Sequence, residues 1–398
     1  MALLIKNARV FAPKDLGVAD VLMANERILA VGPDLNPNLP DLQTIDAKGM
    51  ILTPGFFDQH IHVTGGGGEG GPATRTPELQ LSELIECGTT NVVGVSGTDY
   101  TTRSIPNLLA KVRALKAEGV SAWMYTSNYR CPPSLLTDSI GNDLFFVPEV
   151  IGVKIALGDH RSSFPDTQTV LSMLADIRVG AMLAGKIGFL HIHTGNIPGT
   201  FDMFNDIVSR GFPIRHIRPT HCGRIQHVFD DAVKFGLKGG WIDISTGASC
   251  CFDHPATAVV EAIKAGVDPT HITMSTDGHG SVPRFNAKGE MVGLGVGGVT
   301  SNLAETIRLI RDHNMPIEQA VTFTSSNVAQ ALGLAGHGVV EAGACANACL
   351  FTEDFELKGV FARGREMMRD GNVIVNGYVR ILIQRSPSIV YSGSGLRS

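Results

Sequence analysis

From residue 55 onward the chain repeats one texture: an apolar run, a polar break, then a stretch whose apolar positions recur at helical spacing. The runs are GFFDQHIHV (55 to 63), TNVVGVSG (90 to 97), VSAWMYTSN (120 to 128), VIGVKIAL (150 to 157), GFLHIHTG (188 to 195), IRPTHC (217 to 222), GWIDIST (240 to 246) and HITMSTDG (271 to 278). Amphipathic segments such as SIPNLLAKVRALKAEG and VVEAIKAG lie between them. Eight alternations of strand and helix within about 250 residues predict an α/β fold, a (β/α)8 TIM-like barrel over residues 53–344. The doubly wound alternative would carry a G-x-G-x-x-G after its first strand, and none is present.

The two ends of the chain read differently. LLIKNARVFAP, DVLMANERILAVG and QTIDAKGMILTPG predict short strands divided by turn residues. Similar pieces, ACLFTED, LKGVFARGREMMRDG and NVIVNG, return after TSSNVAQALGL. Together they predict a small β domain built from residues 1–52 and 345–385. The Ser- and Gly-rich residues 386–398 predict a poorly ordered tail.

Composition narrows the class of partner. With 398 residues and 43% hydrophobic content the chain can bury a large core. A formal charge of −5 and the lack of like-charge blocks exclude a basic footprint for nucleic acid. Seven cysteines, two of them adjacent at Cys250 and Cys251, form no C-x-x-C pair and suit reduced thiols. The opening MALLIKNARV is broken by Lys6, and no apolar stretch approaches the length of a membrane span. The expectation is a cytoplasmic protein acting on small molecules, with neither nucleic acid nor membrane as partner.

Barrel enzymes carry their chemistry at the carboxyl ends of the strands, and here the metal-capable side chains fall there. His60 and His62 close the first run, and residues two apart on a strand point the same way, so both can reach one metal. Lys154 lies in the fourth run, His193 ends the fifth, His221 the sixth and Asp277 the eighth. His191 reads as a same-face neighbour of His193. One histidine alone is more often a core or surface residue; four of them with an aspartate on the strand ends of one barrel predict a metal site. An ammonium cannot bind a metal, but a desolvated lysine beside cations loses its proton, and the neutral amine can take up carbon dioxide. The resulting carbamate is a carboxylate on a long stem, able to bridge two metals.

With these residues the chain resembles the amidohydrolase superfamily, and within it the bacterial isoaspartyl dipeptidases (β-aspartyl peptidases). The broad pattern is HIH at 60 to 62, Lys154, His193, His221 and Asp277. The narrower resemblance rests on DQHIHVTGGGGEGGPATRTPE, VVGVSGTD, VIGVKIALGDHRSS, PTHCGR and STDGHGS, and extends over roughly residues 1 to 375. It implies two zinc ions bridged by N6-carboxylated Lys154, with His60, His62 and Asp277 on one and His193 and His221 on the other. A hydroxide between the metals would be the nucleophile, with Asp277 as general base and Tyr129 as oxyanion donor. Gly67, Gly68, Glu69, Thr98, Tyr129, Arg161, Arg224 and Ser281 are implied to contact the substrate. The resemblance also implies a homo-oligomer. GACANACLF departs from it in lacking an aspartate that many relatives have before that strand.

The chemistry of an isoaspartyl dipeptide suits these residue types. Its amide is on the side-chain carbonyl, which leaves a free α-ammonium and two carboxylates. Glu69 can supply one anion, and Arg161 and Arg224 can grip carboxylates bidentately. The glycines around Glu69 let the backbone approach a ligand without a Cβ in the way. A dihydroorotase-like or N-acyl amino acid amidohydrolase is the rival, and its substrates lack the ammonium that Glu69 would hold. A barrel scaffold without metal is the other rival, opposed by the filling of all six ligand positions.

Overall fold

The computed structural model describes residues 2–286 and 291–378. The predicted tail, and residues 379–385 of the predicted β domain, lie outside the described residues.

Each of the eight apolar runs forms a strand: Phe56–Ile61, Thr89–Gly94, Ser121–Thr126, Val150–Ala156, Leu190–His193, Ile217–Thr220, Ile242–Ser245 and Ile272–Ser275. β-branched and aromatic residues supply most of them, as a pleat buried on both faces requires. The first six pair in chain order as one parallel sheet. The last two form a separate parallel pair, with Ile242 opposite Ile272. The α/β class expected from the pattern is therefore present, while the eight strands are not one continuous ladder.

At the two junctions side chains replace most of the ladder. Single backbone bonds run from Cys222 N to Asp243 O (3.0 Å), from Asp277 N to His60 O (3.0 Å) and from His62 N to Gly278 O (2.8 Å). The Asp243 carboxylate accepts from Gln59 on the first strand, Thr220 on the sixth, and Thr273 and Ser275 on the eighth, at 2.6 to 2.8 Å. Asp58 accepts from the backbone of His60 and from Thr276. Both carboxylates are buried, and burial pushes both pKa values up, that of Asp58 to about 7. Their donors offset the cost of taking such groups out of water.

Helices fill the gaps where the sequence places helical periodicity. Ile105–Glu118 starts at Ser104, whose hydroxyl accepts from Asn107 N, and stops at Gly119 with φ 118°. Thr167–Ala184 starts at Asp166 and stops at Gly185 with φ 67°. Its buried residues Val170, Met173, Leu174, Ile177 and Ala181 keep the three-and-four spacing of one helix face.

A nine-stranded sheet draws on both chain ends. Ile51–Pro54 pairs antiparallel with Ala348–Phe351, which joins the early strands to the late ones. The strands Asp15–Ala24 and Arg27–Gly32 turn at Asn25 and Glu26 of DVLMANERILAVG, whose φ values of 50° and 66° suit a tight two-residue hairpin. A hairpin absent from the sequence reading, Ser281–Phe285 with Met291–Val296, follows the eighth parallel strand directly. Among the described residues no helix is long and apolar enough to cross a membrane.

Candidate functional site

Strand ends and the turns just past them position the predicted side chains. His60 lies inside the first strand, His62 one residue beyond it, Lys154 inside the fourth, and His193 at the end of the fifth. His221 and Asp277 follow the sixth and eighth strands with left-handed backbone, φ 65° and 56°. Such conformations are costly for non-glycine residues and concentrate where side-chain direction matters. Here they turn both side chains toward His60.

The glycine run is a folded loop. Gly66 N donates to His279 O at 3.0 Å, Thr76 N donates to Gly66 O at 3.0 Å, and Thr76 Oγ1 donates to His279 O at 2.6 Å. His279 is itself held by Pro77 O and Glu83. Gly67 has φ 76°, and a Cβ there would lie 2.2 Å from Thr74 O, so only glycine fits. The loop carries Glu69 over a cavity of about 600 Å³. Glu69 Oε1 accepts from Ser281 Oγ and from Arg161 Nη1, while Oε2 is buried without a partner.

Ten of the predicted residues meet at this cavity: His62, Gly67, Glu69, Thr98, Tyr129, Arg161, His193, Arg224, Asp277 and Ser281. Gly68 is not on its wall, and its N–H donates to Thr74 O. His60, Lys154 and His221 are buried and are not among the residues lining it. Lys154 Nζ is 3.2 Å from His60 Nε2. Asp277 Oδ1 is 3.4 Å from His60 Nε2 and 3.2 Å from His62 Nε2, and Oδ2 is 3.4 Å from Arg224 Nη2. Ligand atoms of His60, His221 and Asp277 fall within 4.8 Å of one another.

The electrostatics suit metal ligands. Burial holds His60 and His221 well below their usual pKa and brings His193 down to about 3, so each keeps a lone pair at neutral pH. Burial also brings Lys154 down to about 7, where a neutral amine is abundant. Burial alone would raise Asp277, but His221, His60 and His62 hold it well below the carboxylate range. His221 Nδ1 is 2.5 Å from Ser245 Oγ, and its Nε2 is buried with no partner. His193 Nε2 is 2.9 Å from Asp159 Oδ2, leaving Nδ1 toward Tyr129 OH at 3.0 Å. His221, held through one ring nitrogen with the other left open at a site of neutral imidazoles and a carboxylate, has the arrangement a divalent metal needs.

Sequence reasoning missed Asp159 in this constellation and the contact that His191 makes with His60. Asp159 grips Arg161 Nε and Nη2 at 2.8 and 2.9 Å while it holds His193. Arg161 and His193 in turn keep its pKa well below the usual range against the opposing effect of burial. A carboxylate two residues before an arginine was a visible signal. His191 lies 2.8 Å from His60 Nδ1, and only the pairing of distant strands makes that contact. The far wall adds Asn196, Ile197, Ala248 and Ser249.

The chain is similar to known proteins in sequence and in fold. The model of the amidohydrolase family matches residues 51–367. A β-aspartyl dipeptidase from Fervidobacterium islandicum AW-1, solved in complex with β-Asp-Leu dipeptide, superposes with a TM-score of 0.87 at 37% identity over 96% of this chain and all of that one. A dihydropyrimidinase from Brevibacillus agri NCHU1002 superposes with a TM-score of 0.67 at 18% identity over 95% of this chain and 97% of that one, a likeness of fold alone. A dihydroorotase from Solibacter usitatus is 37% identical over 90 residues, which is 22% of this chain and 18% of that protein.

Proposed function

Since the chain belongs to the amidohydrolase family, we propose that it is a metal-dependent dipeptidase hydrolysing the β-aspartyl amide bond of isoaspartyl dipeptides. The observation that carries this reading is the unpartnered, buried Glu69 Oε2 in a cavity that also presents Arg161 and Arg224. With Asp159 engaged by Arg161 and His193, and Asp277 among the histidines, Glu69 and the two arginines are left to match one ammonium and two carboxylates. Arg161 is already oriented by Asp159, so it can meet a carboxylate with little loss of side-chain freedom.

In this reading His60, His62 and Asp277 would hold one zinc ion and His193 and His221 a second, with carboxylated Lys154 as a further ligand. The metals would supply Lewis acidity toward the amide carbonyl and lower the pKa of a water. Tyr129, with its pKa pushed well up by burial, stays a proton donor at the oxyanion, a role worth about 2.7 to 4 kcal/mol. Asp277 takes the proton of the attacking water and passes it to the leaving amine as the C–N bond breaks. The products are aspartate and the second amino acid. In an α-linked dipeptide the amide is one bond closer to the ammonium. Binding at Glu69 and reaction near Tyr129 then cannot be satisfied together.

We further read the eight strands as one closed barrel. The nine-stranded sheet, whose strands lie within residues 2–54 and 348–373, is read as the small domain expected of residues 1–52 with 345–385, and Gly68 as a backbone contact to the substrate. The working form in this reading is a cytoplasmic homo-oligomer. The function is tested by hydrolysis of β-Asp-Leu, α-Asp-Leu and dihydroorotate by the wild type and by Glu69→Gln. Turnover of the first alone is expected, with a loss of about 10- to 100-fold in the variant, the worth of a charge-assisted bond. Equal turnover of the α-linked peptide, or an inert Glu69→Gln, would overturn the reading, and turnover of dihydroorotate would favour a hydrolase of cyclic acids.

A further inference from the structure

We propose that His191 is a positioning residue that fixes the tautomer and orientation of His60, and through it the metal position at the HIH pair. The inference rests on the metal reading above. His191 Nε2 lies 2.8 Å from His60 Nδ1, and both rings are buried. Two imidazoles at this distance share one hydrogen, and its direction decides which nitrogen of His60 is free. His60 Nε2 faces Asp277 Oδ1 at 3.4 Å and Lys154 Nζ at 3.2 Å. To offer a metal a lone pair there, His60 must carry its proton on Nδ1, and His191 must accept it at Nε2. The reverse direction would put the proton on His60 Nε2 and close that position.

The surroundings hold the His191 ring in place against His60. Its ring packs on Tyr125 with centroids 4.5 Å apart and planes 32° apart. Strand pairing sets it opposite Lys154 on the neighbouring strand. With Nε2 accepting, its own hydrogen is on Nδ1. A cavity of about 10 Å³ lined by His191, Gln59, Arg218, Asp243 and Thr273 lies beside the ring. The partners of the other two histidines differ in kind: His193 is held by a carboxylate and His221 by a hydroxyl. His60 alone of these three is held by a second imidazole.

The test compares His191→Phe, which keeps a ring against Tyr125 and removes the acceptor, with His191→Gln, whose amide oxygen can reach the same place. Zinc affinity is read by chelator competition, alongside the thermal midpoint of the zinc-free protein. The Phe variant should hold one zinc about 10- to 100-fold more weakly, the usual cost of losing such a partner, and the Gln variant should recover most of the affinity. kcat/KM of the Phe variant should rise again with added zinc. An unchanged affinity in the Phe variant overturns the inference, as does a Gln variant equally weakened, since the loss would then be one of packing. Nitrogen-15 NMR of histidine-labelled wild type provides a check without any variant: His191 protonated on Nε2 overturns the inference. A wild type that takes up no zinc brings down the metal reading with it, whereas a Phe variant matching a zinc-binding wild type brings down this inference alone.

Discussion

Replacing Asp159 with Asn keeps the side-chain volume and removes one charge at the point where the proposed substrate clamp, Arg161, meets a proposed metal ligand. Oδ1 accepts from Arg161 N and Nε, both at 2.8 Å, and Oδ2 from Arg161 Nη2 and His193 Nε2, both at 2.9 Å. An amide has one acceptor oxygen, so whichever way it turns, its NH2 faces two donors and two bonds are lost. Bonds to charged groups contribute about 1.5 to 3 kcal/mol each. Part of that returns as Arg161 relaxes toward Glu69, 3.3 Å away, which leaves a net loss of about 3 kcal/mol at the transition state. At 1.36 kcal/mol per decade this is about 10²-fold in kcat/KM. The assay is steady-state hydrolysis of β-Asp-Leu with zinc content measured on the same sample. KM should rise because Arg161 is no longer aimed, and zinc should be held more weakly because His193 is no longer oriented. A variant within threefold of wild type and fully loaded with zinc would refute the idea that Asp159 links the two.

Two further perturbations probe the loop and the pH response. Gly67→Ala demands φ near 76° of an L residue and drives a Cβ to 2.2 Å from Thr74 O, so the loop must move. kcat/KM should fall by at least about 10-fold with zinc content unchanged, and a fully active variant would show that the loop does not carry Glu69 into place. His337 is brought from 6.5 to about 4 by burial, aided by Arg27 and Arg363, so the folded chain resists a proton that the unfolded chain accepts. Stability is therefore intact above about pH 6.5 and falls as the pH drops toward 4, by about 2 kcal/mol after allowance for partial exposure. Urea unfolding across that window should show a shallower pH dependence in His337→Gln, and identical slopes would remove His337 as the cause.

The legible part of this protein is what depends on neighbours in the chain. The two-residue repeat of a strand put His60 and His62 on one side, and apolar runs between helical segments gave all eight strands close to their observed bounds. Capping residues such as Ser104 and Asp166, with Gly119 and Gly185 at the far ends, marked the helices. The motif GDHRSS held Asp159 in plain view, but nothing local says that its carboxylate meets His193, 34 residues on. The hairpin carrying Ser281 has too little periodicity to announce itself, and its bond to Glu69 spans 212 residues.

Sequence by itself determined the alternation of strands and helices and the kinds of group offered at the strand ends, because backbone geometry repeats every two or 3.6 residues and fixes side-chain direction locally. Tertiary structure alone decided which nitrogen of each histidine is held and by whom, where Asp243 ties the first, sixth, seventh and eighth strands, and that Glu69 keeps one oxygen free over the cavity. Those outcomes depend on the register between strands far apart in the chain, to within a fraction of an ångström, and hydrogen-bond energy falls off over that same distance.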